Sequence, residues 1–237
     1  MKKSWLLSCF INFFIASVMG LLLRIMYVTP LDWVNYQFLL HGHSHVAMLG
    51  WVYLLLYALI FHFFLPKEAQ QKPVYNRLFW ITEIAVIGMM LYFPFQGYAL
   101  FSITFSTLHI LCSYYFCRLV WKDSQPKTMH EKRILRTGLF FMLLSTLGVW
   151  CLGPAVGLLG KTSAFYQIAI QFFLHFQFNG WFLFAVLALF FNQLNANINE
   201  KKFRLFYNLL VVSTVLTLAL PVSWFLSNPI FHWINVV

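Results

Sequence analysis

Seven apolar runs, at about 5–28, 33–65, 78–96, 98–121, 135–159, 164–192 and 204–226, take up most of this 237-residue chain. Each is long enough to cross a bilayer as a helix. Hydrocarbon offers no water to satisfy backbone N–H and C=O groups, so runs of this length fold as helices that bond internally. With 61% hydrophobic and only 9% charged residues, the chain lacks the polar surface to hide such a core in water, which excludes soluble folds. The expected fold is an all-α polytopic membrane bundle of about seven helices, one transmembrane domain over 1–237. The division between the third and fourth runs rests on the turn-prone stretch Pro94 to Gly97.

Charge sets the orientation. Lys2, Lys3, Lys67, Lys72, Arg77, Arg118, Lys122, Lys127, Lys132, Arg133, Arg136, Lys201, Lys202 and Arg204 make 14 of the 16 Lys and Arg residues, and all fall on one side of a seven-helix arrangement. The positive-inside rule makes that side cytoplasmic, with the N-terminus in and the C-terminus out, as in a multi-pass protein of a bacterial-type inner membrane. The net charge of +10 then reports topology, and the partner it implies is the lipid bilayer, with no nucleic acid. Lys2 and Lys3 before an apolar run imitate a signal peptide, and Leu6-Leu7-Ser8-Cys9 imitates a lipoprotein box, but too few apolar residues precede Ser8. A retained helix is expected. Cys9, Cys112, Cys117 and Cys151 lie in apolar runs without Cys-x-x-Cys spacing, so they read as packing residues, with neither a disulfide framework nor covalent haem attachment indicated.

The second run opens with His41-Gly42-His43-Ser44-His45-Val46-Ala47-Met48-Leu49-Gly50-Trp51-Val52. A polar ring at membrane depth costs free energy unless it finds a partner, and for a neutral imidazole a metal is the strongest one. A hydrogen bond between helices is the structural alternative. Residues two apart on a helix project roughly 200° apart, so His43 and His45 need partners on different sides. His41 and His45, spaced i, i+4, share a face that suits a single zinc or copper ion. That spacing supports a second reading, a copper or zinc transport or handling protein built on His41, His43 and His45. A third is a membrane subunit whose histidines only pack.

The pattern His-x4-Gly-Trp occurs twice, as His45…Gly50-Trp51 and as His175…Gly180-Trp181, four runs apart and on segments of the same direction. Duplicated helical units would produce such an echo. The stretch His43 to Val52 resembles the tenth helix of the catalytic subunit of haem-copper oxidases, especially the C-family oxidases and nitric oxide reductases, where His-x-His precedes a Gly-Trp or similar pair. The resemblance implies that His43 would ligate a high-spin haem and His45 a low-spin haem, on opposite faces of one helix. It covers about forty residues strongly. The chain departs from that family in length and in lacking any His-His pair for the second metal, so a shortened relative without a complete binuclear centre is what the resemblance describes.

Facing helices would then supply the remaining ligands. His175 is the expected partner of His45, with hydrogen bonding to Gln171, Gln177 or Asn179 as its structural alternative, and His109 is a third ligand candidate. Arg24, which breaks the charge segregation, would pair with haem propionates or snorkel to the interface. Glu83 lies inside the third run, as a proton-path residue or a merely hydrogen-bonded one. His62, His130 and His232 read as solvated. Together these residues lead to an expectation of one or two b-type haems between the second and sixth helices. The chemistry would be electron transfer or O2/NO redox chemistry, with a quinone or cytochrome as electron donor.

Overall fold

Polar side chains fix where several helices begin. Asn35 accepts from Phe38 N–H at 3.1 Å, Thr128 from Glu131 N–H at 3.2 Å, Ser163 from Tyr166 N–H at 3.3 Å and Asn199 from Lys201 N–H at 3.0 Å. Each satisfies a donor that opens a helix with no partner of its own. The computed structural model describes residues 2–29, 31–194, 199–226 and 228–236, without the side chains of 232, 235 and 236. In it run seven helices long and apolar enough to span a membrane: α1 (Lys3–Ile25), α2 (Tyr36–Phe64), α3 (Pro73–Gln96), α4 (Leu100–Asp123), α5 (Met129–Leu159), α6 (Ala164–Leu194) and α7 (Glu200–Ser223). No strand occurs among the described residues. The protein is an all-α polytopic bundle.

Three helices start four to six residues before their apolar runs: α3 at Pro73, α5 at Met129 and α7 at Glu200. The cap defines a helix start, whereas the apolar run begins only where hydrocarbon does. Pro73 suits the first turn, where its missing N–H costs nothing. The α3–α4 break falls at Gly97, inside the expected Pro94 to Gly97 stretch. The helix carries that proline inside it and ends at Gly97, whose φ of +58° suits glycine and whose Cβ, if present, would sit 2.5 Å from the Phe38 ring.

The chain packs as two compact units, residues 1–125 and 126–237. In the first, α2 is flanked by α1 and α3, and α3 packs along α4. Aromatic rings fill its core at the cation-rich end: Trp5 stacks on Phe79 at 4.4 Å and Tyr57 on Phe116 at 4.0 Å. There Lys2 donates to Asn76 Oδ1 at 2.9 Å, and partial burial moves its pKa down from the ordinary lysine value. Lys72 pairs with Asp123 at 2.8 Å, tying α3 to the end of α4. In the second unit α5 packs along the length of α6, with Phe141 stacked on Phe176 at 5.4 Å.

Both histidine helices change pitch at the same place. α2 widens to a π-helix over Val46–Tyr53 and α6 over Phe176–Phe182, each starting at the residue after His45 or His175. The repeated motif is therefore a repeated backbone feature. Such segments are rare and collect at functional sites. The glycines explain part of the pattern: a Cβ on Gly50 would lie 2.6 Å from Val86, and one on Gly180 would lie 2.6 Å from Phe141.

Orientation is open to direct measurement. Reporter tags at Lys127 and at Val237 are expected on opposite sides of the membrane, the former cytoplasmic, because the cations around it anchor that loop. Both tags on one side would contradict the seven-helix topology.

Candidate functional site

His43 sits on a notch of small residues in α1. Its ring lies over Gly20, where a Cβ would be 3.0 Å from Cε1, and Nδ1 meets the Ala16 carbonyl at 2.8 Å. A carbonyl only accepts, so Nδ1 carries the hydrogen and Nε2 keeps its lone pair, the tautomer a metal ligand needs. His43 lines a groove of about 510 Å³ with Gly20, Leu23, Arg24, Tyr27, Tyr36 and Leu40. The Tyr27 and Tyr36 hydroxyls are hydrogen-bonded at 2.8 Å across it. Arg24 has no ion pair among the described residues.

His45 turns the other way. Its ring stacks on Phe93 of α3 at 4.2 Å, and its Nδ1 donates to the His41 carbonyl at 2.8 Å, so Nε2 is again the unprotonated nitrogen. His41 shares that face, edge-on to Tyr98 at 4.7 Å. His43 against α1 and His45 against α3 is the divergence that their spacing requires. On α4, His109 is 2% exposed and edge-on to Tyr53 at 4.7 Å, near enough to His45 for the two rings to interact electrostatically. Its Nδ1 lies 3.4 Å from Ser113 Oγ. The Leu49 carbonyl faces the ring, yet Nε2 makes no hydrogen bond of acceptable geometry. A buried nitrogen left in that state is a ligand position or a cost.

In the second unit both nitrogens of His175 are engaged. Nε2 donates to the Thr214 carbonyl at 2.7 Å, and Nδ1 accepts from Asn179 Nδ2 at 3.3 Å. The Leu218 N–H that a regular α-turn would aim at the Thr214 carbonyl bonds Val215 O at 3.4 Å instead, and the Thr217 hydroxyl also reaches the Thr214 carbonyl at 3.5 Å. His175 lines a groove of about 310 Å³ with Gln171, Asn179, Thr217 and Trp224 among its walls. Of the three amides expected near it, Asn179 bonds the ring, Gln171 lines the groove, and Gln177 accepts from Ser145 at 3.0 Å. His45 and His175 belong to different units.

His130, expected in solvent, lies in the first turn of α5, 2.7 Å from Glu200 and against the Phe203 ring at 4.0 Å. Its loop begins the helix earlier than the apolar run suggested, which brings it to the α7 start. His62 is exposed, and the His232 side chain and Val237 lie outside the described residues. No disulfide joins the four cysteines, three of which are buried. Among the described residues no three His, Cys, Asp or Glu side chains converge as a metal cluster. Sequence reasoning missed Ala16 and Gly20, although their small-x-x-x-small spacing is a recognised sign of close helix approach. It also missed Asn12, which donates to both Glu83 Oε2 at 2.9 Å and Gly50 O at 3.0 Å. No protein-family model matches the chain, and no curated protein or solved structure matches it either.

Proposed function

We propose that this is an integral membrane b-type haem protein, with His43 as an axial ligand in the α1–α2 groove and Arg24 pairing with the propionates. The observation that carries the reading is the Nδ1-anchored His43 beside an arginine without an ion pair. A fixed tautomer and an apolar cleft with a few polar groups are what a haem ligand site needs, and a groove of about 510 Å³ falls in the range of cofactor pockets. Haem held there would supply one-electron transfer or binding of a diatomic gas such as O2 or NO. The chain's own residues would do the rest. Ala16 and Gly20 hold the imidazole, the guanidinium grips carboxylates bidentately, and the tyrosine pair closes the outer wall. His45 and His109 offer further nitrogen positions in the same unit, which suit a second haem. A quinone or cytochrome as electron donor, and a bacterial-type inner membrane, complete the proposal. Copper or zinc handling by His41, His43 and His45 has weaker support, because His43 turns to α1 while the other two turn to Phe93 and Tyr98.

Acidified acetone extraction of the purified protein tests the attachment. With no Cys-x-x-Cys-His to form thioether links, all pigment is expected in the solvent as haem b. Pigment retained on the polypeptide would contradict a b-type site, and a colourless preparation loaded with zinc or copper would favour the metal-handling reading.

A further inference from the structure

The buried edge of α1 carries polar groups at nearly every turn, and two of them, Ser8 and Asn12, meet one carboxyl. Glu83, eleven residues into α3, is 6% exposed. Asn12 commits both amide hydrogens nearby, one to Glu83 Oε2 at 2.9 Å and one to the Gly50 carbonyl at 3.0 Å in the π-helical segment of α2. The Ser8 hydroxyl also lies beside the carboxyl. No lysine, arginine or histidine forms an ion pair with it among the described residues. The titratable neighbour on α1 is the Cys9 thiol, while α2 offers Gly50 O. A carboxylate at membrane depth without a cation is expensive, and the uncharged acid is the form such surroundings accommodate.

The same edge leads to the cation-rich end. One turn before Ser8, Trp5 Nε1 donates to Asn76 Oδ1 at 3.2 Å, and Asn76 Oδ1 also takes Lys2 Nζ at 2.9 Å. Toward the other end, Ala16 lies one turn beyond Asn12, about 6 Å along the axis, and its carbonyl holds His43. We propose that Glu83 is a proton-holding site at mid-membrane, filled from the cation-rich face past Trp5, with the Ser8 hydroxyl, which can both accept and donate, as the last relay and Asn12 holding the carboxyl in place. A proton from water at that face and the Glu83 carboxylate combine to the carboxylic acid, and release is the reverse. The proposal stands without any haem.

Infrared spectroscopy of the purified protein at neutral pH, transferred from H2O to D2O, tests both parts. The expected result is a protonated-carboxyl C=O band that shifts down in D2O, is lost in Glu83→Gln and persists in Glu68→Gln. Glu83→Asp, which keeps the acid, is expected to retain a band at a changed frequency, and this variant decides the point if the glutamine variant does not fold. Ser8→Ala is expected to slow the deuterium shift several-fold, while Ser17→Ala, on the exposed side of α1, leaves it as in wild type. A missing band, or one that survives in Glu83→Gln, would overturn the protonated site. An unchanged exchange rate in Ser8→Ala would overturn the route.

Discussion

His43→Ala is expected to yield folded protein that no longer retains haem in the α1–α2 groove. The imidazole is half-buried against α1, held by its Nδ1–H bond to the Ala16 carbonyl. Truncation removes the ligand while leaving the small residues of α1 in contact, so stability should change little. Gly20→Val acts on the same site indirectly. Its side chain would meet the His43 ring, whose Cε1 already lies 3.0 Å from the position of a Cβ, and would turn Nε2 away. Displacing the support of a ligand weakens binding by about 10–100-fold, and that loss is expected here. Haem titration of detergent-purified protein measures both. His175→Ala is expected to keep the pigment of the first unit, since both His175 nitrogens are already hydrogen-bonded. Loss of all pigment in that variant, with His43→Ala unchanged, would move the site to the second unit.

Gly148→Leu is expected to produce the largest loss of stability, in the second unit. A Cβ at Gly148 would lie 2.4 Å from the Ala169 carbonyl oxygen and 3.0 Å from Phe173 N, both backbone atoms of α6. A flexible side chain could swing aside, but a helix backbone cannot, so α5 and α6 would have to part along the most extensive contact of that unit. Overpacking typically costs about 1–3 kcal/mol, and a clash with two backbone atoms of one helix belongs at or above the upper end. Thermal unfolding in detergent measures it. The substitution Gly153→Leu, where nothing lies within 4 Å of the added Cβ, is the control and should be nearly neutral. Equal melting temperatures for the two variants would contradict the packing described.

The seven helices were legible because length and apolarity decide the matter in a bilayer, and no tertiary contact competes with that. Helix starts were less so. Thr128 and Asn199 cap turns rich in Lys, Arg and Glu, which a search for apolar runs passes over. The divergence of His43 and His45 followed from their spacing, and the structure turns them to α1 and α3. The π-helical segments after His45 and His175 had no direct sign. Their trace was the repeated Gly-Trp, because a wider turn needs a glycine where a neighbouring helix closes in. The Thr214 carbonyl that holds His175 was illegible, since it depends on a local departure of α7 from regular i→i−4 bonding at Leu218 that no side chain there announces. Asn12 was within reach: Ser8 and Asn12, spaced i, i+4 on one face of a largely apolar helix, mark a buried polar edge.

A reduced-minus-oxidised absorption spectrum of the purified wild-type protein tests the haem reading most directly. A b-type difference spectrum is expected, with the component of the α1–α2 groove lost in His43→Ala. A folded preparation with no visible absorption in either redox state, after growth with ample haem, would contradict it.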